Sequence, residues 1–289
     1  MLALDIGGTK IAGGIVGADG TLARSATRPT GTEPFAALRA VVAELAPGDL
    51  PGVGIACAGP VDTVAGTVSP INIPSWRDFP LVERVRELVG APVALAGDGL
   101  CMALGEHWVG AGQGATAMLG MVVSTGVGGG LVLDGRPFGG SSGNAGHVGH
   151  VVVEPDGVPC TCGGRGCVET VASGTHLVRW ARSQGWSGPD ARVLAADAHA
   201  GDAVAAEAFR RGGQAIGLAI TATAAVCDLD LVVIGGGVAQ VGDLLFEPVR
   251  ATLATHARLS YLRALRVEQA KLGGGAGLYG AAALAYSLT

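Results

Sequence analysis

One local unit occurs twice in this chain, and the repetition limits its fold more than any other feature. Leu2-Ala3-Leu4-Asp5-Ile6 reads as a buried strand, Gly7-Gly8-Thr9-Lys10 as a tight turn, and residues 11–16 as a second strand closed by the hairpin turn Ala18-Asp19-Gly20. Residues 118–123 open the second copy, followed by the glycine-rich turn Ser124-Thr125-Gly126-Val127-Gly128-Gly129-Gly130, a strand over 131–133 and the turn Asp134-Gly135. Two related halves, each built on a strand, a glycine turn with a threonine and a returning strand, are the economical explanation. Each turn sets free backbone N–H groups beside a hydroxyl, a concave arrangement that binds phosphate.

Between and after these units, strands alternate with helices, the pattern of an α/β fold. Helical spacing over 35–45 is stopped by Pro47-Gly48. Residues 53–57 form a strand ending in Ala58-Gly59-Pro60, and the loop 69–76 is stiffened by Pro70 and Pro74. A helix over 81–89 leads to a strand over 92–95, the turn Ala96-Gly97-Asp98-Gly99 and a helix over 100–108. Gly110-Ala111-Gly112-Gln113-Gly114 is the expected domain boundary. Further on come a helix over 174–184, a helical pair within 203–227 broken near Gly212-Gly213, a strand over 230–234 ending in Gly235-Gly236-Gly237, a helix over 244–256, a strand over 266–270 and a helix of small residues over 277–286. The expected domains are 1–110 and 111–276, with the final helix, 277–289, packing back on the first.

Of 289 residues 49% are hydrophobic and 15% charged, which marks a folded globular chain, and the net charge of −5 offers no polycationic face for nucleic acid or an anionic membrane. No apolar run reaches the ~20 residues that span a bilayer, and the first residues lack the pattern of a signal peptide, so a cytoplasmic protein is expected.

The most specific local signal is His147-Val148-Gly149-His150 followed by Cys160-Thr161-Cys162-Gly163-Gly164-Arg165-Gly166-Cys167-Val168-Glu169. Three thiols within eight positions and an imidazole ten residues before them suit Zn²⁺, with His150, Cys160, Cys162 and Cys167 as the four ligands of a closed, structural site. Free thiols in a glycine-rich turn, or a Cys160–Cys167 disulfide, are the alternatives. Glu169, two residues past the last ligand, would be aimed by the metal as an acceptor for sugar hydroxyls. The second nitrogen of His150 would face a substrate or a carboxylate. Asp98, at a strand end and a helix start, is either an N-cap or a base for phosphoryl transfer. The chain contains neither a Gly-x-x-x-x-Gly-Lys-Ser/Thr loop nor a dinucleotide fingerprint, which argues against a P-loop protein and a dehydrogenase.

In order and spacing, Asp5-Ile6-Gly7-Gly8-Thr9-Lys10, the Asp98 turn, Ser124 to Gly130, the Gly149-His150 step, the cysteine motif with Glu169 and Gly235-Gly236-Gly237 resemble the ROK (repressor, open reading frame, kinase) sugar kinases along essentially the whole chain. The resemblance implies an actin-like, ribonuclease-H-like two-domain fold with ATP and a hexose in the interdomain cleft. It implies that Asp98 takes the proton of the sugar 6-hydroxyl, that Asp5 organises Mg²⁺, and that Thr9 and Thr125, with Gly7, Gly8, Lys10, Gly126 and Gly128, hold the phosphates. Gly235, Gly236 and Gly237 would line the adenosine pocket. Asn72, His150 and Glu169 would contact the sugar, with Gly59, Gly97 and His147 beside it, and the structural Zn²⁺ keeps the four ligands proposed from spacing.

Two positions depart from the glucokinase-like pattern. Gly97 stands where an Asn usually precedes the catalytic Asp, and His147 replaces a Glu, turning an acceptor-only carboxylate into a ring that can donate. Together they favour an amino or acylamino hexose resembling N-acetylmannosamine over plain glucose. The alternatives are a glucokinase with unusual sugar contacts, a sugar-binding protein without catalysis, and a sugar-responsive transcriptional regulator. The last is disfavoured because the aspartate hairpin begins at residue 5, with no room for a DNA-binding module. The resemblance also implies a homodimer.

Overall fold

The computed structural model describes every residue except Ala46, Pro47, Asp49 and Thr289. Pro47, the expected stop of the first helix, therefore lies outside the described residues. In chain order the elements are β1 (Leu2–Ile6), β2 (Lys10–Val16), β3 (Leu22–Pro29), α1 (Pro34–Leu45), β4 (Val53–Cys57), β5 (Val61–Asp62), β6 (Thr67–Val68), α2 (Leu81–Val89), β7 (Val93–Gly97), α3 (Asp98–Val109), β8 (Ala117–Val123), β9 (Val127–Leu133), β10 (Arg136–Phe138), α4 (Glu169–Ala172), α5 (Gly174–Ser183), α6 (Ala191–His199), α7 (Ala203–Cys227), β11 (Leu231–Gly235), α8 (Asp243–His256), β12 (Arg266–Gln269) and α9 (Ala276–Tyr286).

The repeated sequence unit is a repeated sheet. One sheet runs β3-β2-β1-β4-β7 and the other β10-β9-β8-β11-β12. In the first, β1 pairs antiparallel with β2 and parallel with β4, which is itself parallel to β7. In the second, β11 lies parallel between β8 and β12, and β10 is antiparallel to β9. The glycine-rich turn of the second copy is shorter than expected. Strand β9 already begins at Val127, so Gly128, Gly129 and Gly130 lie inside it. A Cβ at Gly130 would overlap Leu100 of α3, so this glycine admits a helix against the strand.

The chain packs into two compact units, Met1–Gly114 with Gly130–Gly146 and Lys271–Thr289, and Ala115–Gly129 with His147–Ala270. In the first unit, successive side chains of β1 point to opposite faces. Leu2, Leu4 and Ile6 pack in a core with Leu38, Val41 and Leu45 of α1 and Leu81 and Val85 of α2. Ala3 on the other face joins Ala56, Ala96, Leu100 and Cys101 against Leu278, Ala281 and Ala282 of α9. The small residues of α9 let it come close. A Cβ at Gly280 would overlap the Cys101 carbonyl, so any other residue there would push α9 off α3.

The second unit is built around the fully buried strand β11 and the 25-residue helix α7. No break occurs at Gly212-Gly213. Instead a Cβ at Gly213 would come within 2.7 Å of the Leu245 carbonyl of α8 and one at Gly212 within 2.9 Å of the Leu177 side chain of α5, so the two glycines admit neighbours on two sides at the cost of helix propensity. Helix α6, which the sequence reading did not mark, buries Leu194 and Ala198 one turn apart and is started by its N-cap, Asp190, which accepts from the N–H groups of Arg192 and Val193. None of the described helices is long and apolar enough to cross a membrane.

Candidate functional site

In the first unit the parallel strands β1, β4 and β7 end side by side, with Asp5 in register with Ala56 and Cys57 with Gly97. Carboxyl ends of parallel strands are where α/β sheets bind ligands, and Asp5, Gly59, Gly97 and Asp98 all lie at this edge. Asp5 shares the face of Ala3 and is therefore turned toward α9, where a Cβ at Gly277 would stand 2.8 Å from its carboxylate. The hairpin after it is closed by the Gly7 N–H donating to the Lys10 carbonyl at 3.0 Å. Asn72 packs on this turn, because a Cβ at Gly8 would lie 2.7 Å from the Asn72 Cβ. Thr9 and Lys10 are exposed.

Asp98 is the first residue of α3 and not its N-cap; Gly97 holds the cap position with extended backbone. The Asp98 carboxylate accepts from the Gly99 N–H at 2.7 Å, which orients it, and the side chain is exposed. Burial, then the charge of Asp98, pushes the Asp5 carboxyl up to about 6, with Lys10 opposing. Burial, then the same two carboxylates, pushes the Cys57 and Cys101 thiols up. Two acids thus share one region, and the charge of Asp98 adds to burial in raising Asp5.

In the second unit the ligand atoms of His150, Cys160, Cys162 and Cys167 all lie within 4.8 Å of one another. The Cys160 sulfur is 3.7 Å from His150 Nδ1 and the Cys162 sulfur is 3.7 Å from that of Cys167. Tetrahedral Zn²⁺ with Zn–S of about 2.3 Å requires edges of roughly 3.7 Å, so the donor set fits the metal. All six cysteines are free thiols, which removes the disulfide alternative. The Gly164 N–H holds the exposed Cys162 thiol below its usual range, whereas burial pushes Cys167 up to about 12. With Nδ1 facing sulfur, the other ring nitrogen of His150 points away from the cluster. The ring of His147 lies 6.4 Å from that of His150, centroid to centroid.

Glu169 is the first residue of α4, and its Oε2 accepts from the Val127 N–H at 3.0 Å. The turn before Val127 is closed by the Ser124 N–H donating to the Gly126 carbonyl at 2.9 Å. Helix α5 docks on this turn, with the Gly174 N–H on the Ser124 carbonyl at 2.7 Å and Thr175 Oγ1 on the Thr125 carbonyl at 3.1 Å. A cavity of about 830 Å³ opens beside it, lined by Ser124, Thr125, Gly174, Thr175, Arg179 and Gly237 among others. Gly236 packs on the Val123 carbonyl, which brings the β11 glycines to the second hairpin.

The family model described as the ROK family matches residues 1–287. The chain belongs to the ROK family. It is 33% identical over 307 residues to the glucokinase of Thermotoga maritima, covering 98% of this chain and 96% of that protein. It is 34% identical over 286 residues to the N-acetylmannosamine kinase of Yersinia pseudotuberculosis, covering 97% and 96%. Among solved structures, the ROK glucokinase from Streptomyces griseus in complex with glucose and AMPPNP superposes with a TM-score of 0.83 at 34% identity, covering 99% of each chain. With the family comes its fold, the actin-like ATPase fold of the ROK sugar kinases, whose duplicated sheets are those described above.

Several residues of this ROK chain that matter to the geometry carry no motif. Gly174, Thr175 and Arg179 line the cavity from α5, and the one available signal is the N-cap Ser173, whose Oγ accepts from the His176 N–H. Glu106 is fully buried in α3 and accepts from the N–H groups of Ala111, Lys271 and Leu272.

The raised Asp5 carboxyl makes a prediction. Its protonated form is favoured by folding, so its contribution to stability is present below the ordinary value of 3.8 and lost as pH rises through about 6. Asp5→Asn should therefore stabilise the protein at pH 8 by roughly 2–3 kcal/mol and have little effect near pH 4. Urea unfolding at the two pH values measures this, and equal stability of variant and wild type at pH 8 would contradict it.

Proposed function

We propose that this ROK protein is a sugar kinase that transfers the γ-phosphate of ATP to the 6-hydroxyl of a hexose, with an amino or acylamino hexose such as N-acetylmannosamine as the preferred acceptor. The observation that carries the reading is the cavity of about 830 Å³ beside the Ser124-Thr125-Gly126 turn, walled by α5 and Gly237 and large enough for a nucleotide. The ligands named in the Streptomyces griseus structure, glucose and a nucleotide analogue, belong to a relative that matches this chain end to end.

In this reading Thr125, Gly126 and Gly128 hold the donor phosphates, and Gly235, Gly236 and Gly237 lie along the adenosine. Thr9, Gly7, Gly8 and Lys10 hold the phosphate side of the first hairpin. Mg²⁺ supplies charge neutralisation on the phosphates, and the residue that would hold it is Asp5, whose raised carboxyl is relieved by a cation. Asp98 takes the proton from the 6-hydroxyl, oriented by the Gly99 N–H. Asn72, His150 and Glu169 hold the sugar.

The cluster of His150, Cys160, Cys162 and Cys167 holds a structural Zn²⁺, since four protein donors leave no open position for chemistry. Purified protein should carry one zinc per chain. Cys162→Ser should lose that zinc, lower the melting temperature and weaken sugar binding together. Wild-type protein without zinc would refute the site.

Acceptor preference rests on Gly97 and His147. A Cβ at Gly97 would meet nothing within 4 Å, so the position can take a side chain without strain, and the glycine leaves open space where a polar contact to hydroxyls would stand. Gly97→Asn should fold normally and lower the KM for glucose by about tenfold, the worth of one hydrogen bond. The deciding experiment is ADP release with glucose, mannose, N-acetylmannosamine, N-acetylglucosamine, glucosamine and 3-amino-3-deoxyglucose. Turnover on none of them would overturn the kinase reading, and a clear preference for glucose would overturn the amino-sugar reading.

A further inference from the structure

The residues that grip Val127, the first residue of β9, come from both flanks of the cysteine cluster. On one side Glu169, two residues after Cys167, accepts the Val127 N–H at 3.0 Å through Oε2. On the other side Gly149, which directly precedes His150, lies so close to the Val127 carbonyl that a Cβ there would overlap it. The N–H of Val127 is thus bonded by a residue just after one proposed metal ligand, and its C=O is packed against the residue just before another. Glu169 is itself fixed: the Thr170 hydroxyl and N–H both donate to the Cys167 carbonyl, at 2.7 and 2.9 Å, and the Val168 N–H donates to the Val151 carbonyl at 3.0 Å.

Immediately before Val127 stands the turn assigned above to the donor phosphates. The Glu169 carboxylate also covers Gly126, where a Cβ would come within 2.7 Å of Oε2. From Glu169 the chain continues through α4 to Gly174 and Thr175, which bond the carbonyls of Ser124 and Thr125. The segment 169–175 therefore holds the turn along its whole length, and Glu169 is the one charged side chain in that grip. Of its two oxygens, Oε2 is committed to the Val127 N–H, and among the described residues Oε1 meets no donor.

We infer that Glu169 is a positioning residue for the nucleotide turn as well as a sugar contact, so that one carboxylate couples acceptor binding to donor affinity. The inference rests on the donor-site reading given above. A sugar hydroxyl bonded to Oε1 restricts the same group whose Oε2 sets Val127 and Gly126, and by linkage a nucleotide that orders the turn favours sugar in return. A side chain that served the sugar alone would leave nucleotide binding in the absence of sugar untouched.

The test measures AMPPNP binding by calorimetry on zinc-loaded protein without sugar, alongside metal content and melting temperature. Glu169→Ala is expected to weaken AMPPNP at least about tenfold, because the Val127 N–H loses its acceptor. Glu169→Gln keeps an amide oxygen for that N–H and should bind AMPPNP within about threefold of wild type while its sugar KM rises. Gly126→Ala is the reciprocal variant: its methyl displaces the carboxylate and should weaken sugar binding measured without nucleotide. This variant and Glu169→Gln keep the test open if Glu169→Ala fails to fold. Wild-type affinity for AMPPNP in Glu169→Ala would overturn the coupling and leave the donor site standing. Wild-type protein that binds no AMPPNP would overturn the donor-site reading and the coupling with it.

Discussion

Asp98→Asn should lower kcat by about 10³-fold or more, within the range that general-base catalysis contributes, and leave the sugar KM nearly unchanged. The structure separates this from a folding defect. Asp98 is exposed at the first position of α3, and the Gly99 N–H that donates to it at 2.7 Å can donate equally to an asparagine oxygen. The helix keeps its start, because Gly97 occupies the cap position and Asp98 does not. What the amide cannot do is take a proton from a hydroxyl. The substitution also removes a charge that helps push Asp5 up, so Asp5 in the variant should titrate lower. Coupled ADP release with saturating sugar, together with a melting curve, decides the matter. A kcat within tenfold of wild type would remove Asp98 from the chemistry.

Glu106→Ala should cost about 3 kcal/mol or more of folding stability, the scale of losing one side of a buried charged hydrogen-bond group. Glu106 has no exposed surface, and its carboxylate accepts from Ala111 at 2.8 Å, Lys271 at 3.1 Å and Leu272 at 2.8 Å. Ala111 lies where the chain is about to leave the first unit, and Lys271 where it returns. One carboxylate on α3, two turns after Asp98, thus fixes both segments to the helix that carries the proposed base. Glu106→Gln should recover only part of the loss, because one of its two acceptors becomes a donor facing an N–H. Chemical denaturation measures both variants, and a loss under 1 kcal/mol for the alanine would show that water or a shifted backbone satisfies the three amides.

The two predictions differ in how far the sequence led to them. Asp98 stood out because glycines flank it at a strand end, although its cap and base readings could not be separated without the helix start. The register of β1, β4 and β7 explains why it matters: three strands distant in sequence end side by side. Glu106 carries no motif at all. Its partners are main-chain N–H groups, which every residue but proline possesses, so no residue type at 111, 271 or 272 announces the contact. The same holds for Glu169, whose spacing to Cys167 suggested a sugar contact but gave no sign of its bond to Val127. Gly212-Gly213 shows the opposite error, since local propensity favours a break and the close approach of α5 to Gly212 and of α8 to Gly213 makes each a contact surface.

By itself the sequence determined what is local or repeated. The four residues of the cysteine cluster lie within eighteen positions, so their spacing alone names a candidate ligand set, and the two strand–turn–strand units define two sheets of one topology. Family membership rests on the same short, ordered motifs. Only the tertiary structure decided which groups at distant positions meet. It set the shared electrostatics of Asp5 and Asp98, gave one oxygen of Glu169 to the Val127 N–H, closed Glu106 around two chain segments and opened the cavity against α5. The physical reason is that these contacts run through backbone amides and carbonyls, whose positions depend on how sheets and helices pack and not on the identity of the residues that carry them.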